Sequence, residues 1–149
     1  MKTTSLLLAL ALASVAPTIS AADATGTDSR ELVKMPAPMQ QHMLANMRDH
    51  LLALTEIQQA LGSGDYDRAA DVAEKRIGMS SLATHGASHM APYMPKPMQD
   101  IGTAMHKAAS QFAVIAQETA VDGNLKKAVG ALSGITRQCV ACHAGYRAH

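Results

Sequence analysis

Hydrophobic positions recur at spacings of three and four along most of the chain after residue 36, and no stretch shows sustained alternation with period two. Spacing of three and four places apolar side chains on one face of a helix, whereas period two is typical of half-buried strands. Glycine, proline and aspartate interrupt the pattern between the periodic stretches. The sequence therefore predicts an all-α fold.

The first helix is predicted over residues 37–61. Pro36 and Pro38 precede and open it, in the positions where proline suits a helix start. Gly62 and Gly64 end it, because glycine readily adopts the backbone conformation that closes a helix. Its predicted buried stripe consists of Met39, Met43, Met47, Leu51, Leu54, Ile57 and Leu61.

Three further helices follow. Asp65 or Asp67 is the expected N-cap of a second helix over residues 66–85, and a loop over residues 86–96 contains Pro92 and Pro95. A third helix covers residues 97–122. Asn124 is the expected N-cap of a fourth helix, which continues into a cysteine motif near the C-terminus. Short connections between helices of similar length imply an antiparallel up-down-up-down four-helix bundle.

The first 22 residues have the pattern of a secretory signal peptide. Lys2 precedes an apolar run over residues 6–16, and small residues follow at the expected cleavage point. The apolar run is shorter than the roughly 20 residues of a membrane-spanning helix, and no later stretch approaches that length without charge. We therefore expect export to the periplasm without a membrane span.

After cleavage, residues 23–36 are expected to form a short flexible leader, and residues 37–149 a single four-helix-bundle domain. The full chain has 13 basic and 12 acidic side chains. Removal of residues 1–22 takes away one basic side chain, Lys2, and leaves 12 basic and 12 acidic side chains. This balance gives no field that would recruit nucleic acid or an acidic membrane. Aromatic side chains are few, so something else is expected to fill part of the core.

The two cysteines carry the clearest chemical signal. A disulfide between Cys139 and Cys142 would close a very small loop and gain little stability, because that gain increases with loop length. The run Cys139-Val140-Ala141-Cys142-His143 is instead the attachment pattern of c-type haem. Two thiols three residues apart on a helix face one haem edge, and the imidazole that follows reaches the iron. We predict one covalent haem c per chain.

Two other interpretations of the cysteine pair fit the sequence less well. A redox dithiol is expected beside a strand-helix unit, which this chain does not show. A zinc site would require two further soft ligands with their own close spacing. The histidines could supply ligands, but the chain has no second cysteine pair.

The methionines are distributed unevenly along the chain. In the predicted bundle, the start of the first helix, the end of the second, the start of the third and the end of the fourth share one end. All methionines beyond the initiator fall there, with the cysteine motif: Met35, Met39, Met43, Met47, Met79, Met90, Met94, Met98 and Met105. Methionine packs flexibly around irregular shapes, so this clustering points to a cofactor pocket.

These features resemble the class II c-type cytochromes, the cytochrome c-prime group and its low-spin relatives. The resemblance rests on the C-terminal attachment motif, the Ala144-Gly145-Tyr146-Arg147 run after it, and the long amphipathic third helix. It implies that His143 is the fifth iron ligand and that a first-helix residue faces the other side of the iron. A methionine there implies electron transfer with periplasmic redox proteins; an apolar residue implies a five-coordinate haem that binds nitric oxide or carbon monoxide. Relatives often pair through their first two helices, so a homodimer is possible.

Helix depth restricts the distal ligand to Met43 or Met47. The resemblance favours Met47, because Leu54, Ile57 and Leu61 continue the three-and-four spacing that follows the distal position in that family, whereas depth alone favours Met43. His42 and His50 are alternative iron ligands, but they fall off the centre of the predicted stripe and are expected to face solvent.

Two lesser possibilities concern charge and copper. Arg147 has a guanidinium suited to a haem propionate. A third hypothesis is a periplasmic copper protein that uses His85 and His89 with Met90 and Met94.

The leading hypothesis is a periplasmic electron carrier, not an enzyme, with gas binding as the alternative.

Overall fold

The computed structural model describes residues 27–149. The predicted signal peptide, residues 1–22, and the first residues of the predicted leader lie outside the described part. That part is mostly helical, with one pair of two-residue strands, so the prediction of an all-α protein is confirmed. The elements are β1 (Glu31–Leu32), α1 (Ala37–Ser63), α2 (Tyr66–Arg76), α3 (Ala87–Met90), α4 (Lys96–Asp122), α5 (Leu125–Gly145) and β2 (Tyr146–Arg147).

Helix ends follow the capping residues read from the sequence. Gly64 closes α1 in the left-handed conformation, with φ of 76°, and Asp65 caps α2 by accepting a hydrogen bond from the Arg68 amide at 3.0 Å. Asn124 caps α5 by accepting from the Lys127 amide at 3.1 Å. The predicted starts of the second and fourth helices are confirmed.

The second helix ends at Arg76, and the prediction that it reaches residue 85 is wrong. At Gly78 the backbone passes very close to the last turn of α2. A Cβ atom at this position would lie 2.7 Å from the Glu74 carbonyl oxygen. Residues 77–95, which we call the connecting segment, then contain two 3₁₀ turns, Met79–Ser81 and Ala91–Tyr93, on either side of α3.

The two ends of the described chain are tied together. β1 pairs in parallel with β2, and the Val33 amide donates a hydrogen bond to the Arg147 carbonyl at 2.9 Å. Val33 is only 3% exposed. Part of the stretch expected as a flexible leader, residues 23–36, therefore pairs with the residues that follow the cysteine motif, which periodicity did not indicate.

The main core forms where α1 packs on α2, α2 on α4, and α4 on α5. Its largest fully buried side chain is Phe112, the one phenylalanine of the chain. Alanines from all four long helices surround it, so the helices approach closely. No helix in residues 27–149 is both long enough and apolar enough to cross a membrane.

The buried face of α1 is rotated from the predicted stripe. Leu51 is 66% exposed, although it was expected inside. The buried residues are Met43, Asn46, His50, Ala53, Ile57, Ala60 and Leu61. This set keeps helical spacing but includes two polar side chains, which an apolar pattern cannot reveal.

Phe112→Ala should lower the free energy of unfolding by about 3–5 kcal/mol, because it removes a ring that the surrounding alanines cannot replace. Val121→Ala is the matched control on the same helix, since Val121 is 90% exposed, and should change stability by less than about 0.5 kcal/mol. Urea unfolding followed by circular dichroism measures both. Equal losses in the two variants would contradict the placement of the core.

Candidate functional site

An apolar cavity of about 350 Å³ lies between α1, α4, α5 and the connecting segment. Its volume is within the usual range of ligand pockets, roughly 300–1,000 Å³. Methionines from three parts of the chain line it: Met43, Met47, Met90, Met94, Met98 and Met105. Leu51 and Leu54 also line it, which explains why Leu51 lies off the buried face of α1, whereas Leu54 packs against the main core as well.

The cysteine motif forms part of the cavity wall. Cys139, Cys142 and His143 stand on the last turns of α5 and all three line the cavity. Both thiols are free and half-buried. Cys139 packs against the main core, whereas Cys142 packs against a second cluster of buried side chains. His143 is largely exposed and stands at the rim.

Burial raises the pKa of the Cys139 thiol above its usual value. Burial also raises the pKa of Cys142, and the neighbouring Cys139 adds to this effect. Both thiols are therefore protonated at neutral pH. Redox-active cysteine pairs show the opposite shift, because the thiolate is their reactive form. The electrostatic environment disfavours the dithiol interpretation.

The second cluster gathers most of the methionines beside Cys142. Its buried members are Val33, Met43, Met90 and Met98, and Met35, Met39, Met94, Cys142 and Tyr146 pack against them. Met47 and Met105 line the cavity without belonging to this cluster. Met79 neither belongs to this cluster nor lines the cavity, and it is 38% exposed. The predicted gathering of methionines around the cysteine motif is confirmed for all but Met79.

Both candidates for the distal position line the cavity. Met43 is 6% exposed and shares the second cluster with Cys142, whereas Met47 is half-buried. The expectation that His42 and His50 face solvent is wrong. His42 is half-buried, with Nε2 at 2.8 Å from the His85 carbonyl oxygen, and His50 is 5% exposed. Their face of α1 turns inward, toward the connecting segment.

Sequence reasoning missed a group of three buried histidines, His50, His85 and His106, which come from α1, the connecting segment and α4. Their ring centroids are 4.8, 5.6 and 6.1 Å apart. Burial, followed by the charges of its two neighbours, lowers the pKa of His50 to about 4. His50 continues the Met43–Asn46 spacing of the buried face, which is the signal that could have identified it.

Two other predicted site residues lie away from the cavity. The Arg147 Nε is 3.5 Å from the Asp28 Oδ2, and this side chain does not line the cavity. His89 is exposed while His85 is buried, so the structure does not bring these two rings together as a copper pair.

The chain matches no protein-family model, no curated protein and no solved structure. The resemblance to class II c-type cytochromes therefore rests on the sequence features quoted for it.

Asn46 holds the connecting segment over the cavity. Its buried amide donates to the His85 carbonyl at 3.0 Å, and His42 contacts the same oxygen. Asn46→Ala should lower the free energy of unfolding by about 0.5–1.5 kcal/mol, the usual net contribution of one hydrogen bond, because His42 still contacts the carbonyl oxygen. Gln59→Ala, at an exposed position of α1, is the matched control and should have little effect. Chemical unfolding of both variants tests this, and an unchanged Asn46→Ala variant would refute the anchoring role.

Proposed function

We propose that this chain is an exported c-type haem protein that transfers electrons in the periplasm. The observation that carries the proposal is that Cys139, Cys142 and His143 face one apolar cavity that is also lined by methionines. Each thiol would add across one haem vinyl group, its sulfur bonding to one carbon and its hydrogen going to the other. This addition requires no external oxidant.

The residues of the cavity suit a haem. Protonated, half-buried thiols are in the form that the addition consumes, and an imidazole one residue after Cys142 stands at the rim. Methionine and leucine side chains supply apolar walls for a flat ring. When bound, a haem supplies an iron that changes between ferric and ferrous states.

His143 would bind the haem iron through its imidazole, and a methionine of α1 would supply the second protein ligand. Sequence depth left Met43 and Met47 open, with a preference for Met47. The packing of Met43 in the same cluster as Cys142 supports Met43 instead. A His-Met ligand pair favours the reduced iron and a raised potential, and apolar walls that exclude water act in the same direction.

The overall arrangement is part of the proposal: an antiparallel up-down-up-down bundle with the haem at one end. Packing among the start of α1, the start of α4 and the end of α5 supports it, because those three helix ends meet around Cys142. The signal-peptide pattern of residues 1–22 supports export. Redox proteins of the same compartment are the proposed partners.

Cys139→Ser and Cys142→Ser should each greatly reduce the amount of haem-loaded protein, because each removes one thioether bond. The double variant should be protease-sensitive, since the haem completes the core around the cavity. Haem staining of denaturing gels of the periplasmic fraction measures attachment. Absence of a haem-linked band for the unmutated protein would refute the proposal.

Met43→Ala should open a coordination position, so that a low-spin spectrum becomes high-spin and carbon monoxide binds the ferrous protein. Met47→Ala is the matched control, one helical turn away, and should stay low-spin with only a packing loss. Absorption spectra of the ferric and ferrous proteins measure both.

Other outcomes are equally informative. If Met47→Ala were high-spin and Met43→Ala stayed low-spin, Met47 would be identified as the iron ligand. An unmutated protein that is already high-spin and binds carbon monoxide rapidly would replace electron transfer with gas binding.

A further inference from the structure

The buried histidines beside the cavity have ring nitrogens whose protonation follows from their neighbours. His106 Nδ1 lies 2.5 Å from the Ile77 carbonyl oxygen. A carbonyl only accepts hydrogen bonds, so Nδ1 carries the proton. In a neutral imidazole the other nitrogen is then bare. His106 thus has an Nε2 lone pair with no hydrogen-bond partner in the described part of the chain.

The same reasoning applies to His85. Ser81 Oγ donates its one proton to the Gly78 carbonyl at 2.7 Å, and lies 3.2 Å from His85 Nδ1. Ser81 can therefore only accept from that nitrogen, which must carry the proton. His85 Nε2 is left bare, as in His106.

His50 completes the group. It is 5% exposed, and neither of its ring nitrogens has a hydrogen-bond partner among the described residues. An unpaired buried polar group costs about 1–3 kcal/mol. Each of these three neighbouring imidazoles thus has a ring nitrogen whose lone pair accepts no hydrogen bond from a described residue. A bound cation would stabilise this arrangement.

We propose that His50, His85 and His106 bind one transition-metal ion, zinc or copper, as a second metal site beside the proposed haem. Imidazole nitrogen suits both ions. Metal-binding histidines usually donate their other ring N–H to a carbonyl or similar acceptor, as His85 and His106 do. The site does not depend on the proposed function.

The spacing of the three rings fits one ion. With metal–nitrogen distances of about 2.0–2.1 Å, three imidazoles on a tetrahedral ion have ring centres roughly 5 Å apart. The observed separations are 4.8–6.1 Å. No three ligating side chains in residues 27–149 already have their donor atoms in metal-binding geometry. Binding therefore requires the rings to turn about their side-chain bonds, His50 above all, with little backbone movement.

Titration of chelator-treated, haem-loaded protein with Zn²⁺ alone, and separately with Cu²⁺, tests the proposal by calorimetry. We expect one equivalent of metal per chain. Ser81→Ala should weaken binding about 10–100-fold, because it removes the acceptor that orients His85. His106→Gln should weaken it further, and His89→Gln, an exposed histidine of the connecting segment, is the matched control that should bind like the unmutated chain.

Zinc X-ray absorption of the unmutated protein provides a test that does not depend on how the variants fold. Three imidazoles in the zinc coordination sphere are expected, and one or none would overturn the proposal. So would undetectable binding, or equal affinity in His106→Gln and His89→Gln. Haem staining of the same samples separates the two ideas: haem present without the second metal refutes only this site, and metal bound without haem refutes only the proposed function.

Discussion

The apolar lining of the cavity is the constraint on which the rest of the structure depends. Met47, Leu51 and Leu54 of α1 face it from one side, and the cysteine motif of α5 is part of its wall. Burial of apolar surface stabilises a protein by about 25 cal/mol per Å², so these side chains favour a flat apolar group between them. The proposed haem, linked to Cys139 and Cys142, would meet that requirement and would also account for how a chain with so few aromatic residues fills its interior.

The features of the fold that arise from short-range chemistry could be predicted from the sequence. Asp65 and Asn124 cap their helices through their own side chains, so the starts of α2 and α5 needed no knowledge of the rest of the chain. The gathering of methionines beside Cys142 followed from helix order alone.

Features that depend on contacts between distant segments were missed. The end of α2 depends on how closely the backbone at Gly78 approaches Glu74. The β1–β2 pairing joins residues at opposite ends of the described chain, and two-residue strands have no periodicity to detect. His50 turns inward where its ring packs against the rings of His85 in the connecting segment and His106 in α4, contacts that an apolar stripe cannot reveal.

The proposed haem and the histidine group share one cavity but depend on different chemistry. The haem would require the two thiols, an imidazole that binds its iron and apolar walls. The histidine group requires only bare ring nitrogens, and the contacts of Ile77 with His106 Nδ1 and of Ser81 with His85 Nδ1 orient two of the three rings. Intact mass spectrometry under denaturing conditions, on protein from the exported fraction, tests the central claim most directly. The account predicts the mass of the chain without residues 1–22 plus one haem, with no thiol left to alkylate; a haem-free mass with both cysteines free or joined in a disulfide would contradict it.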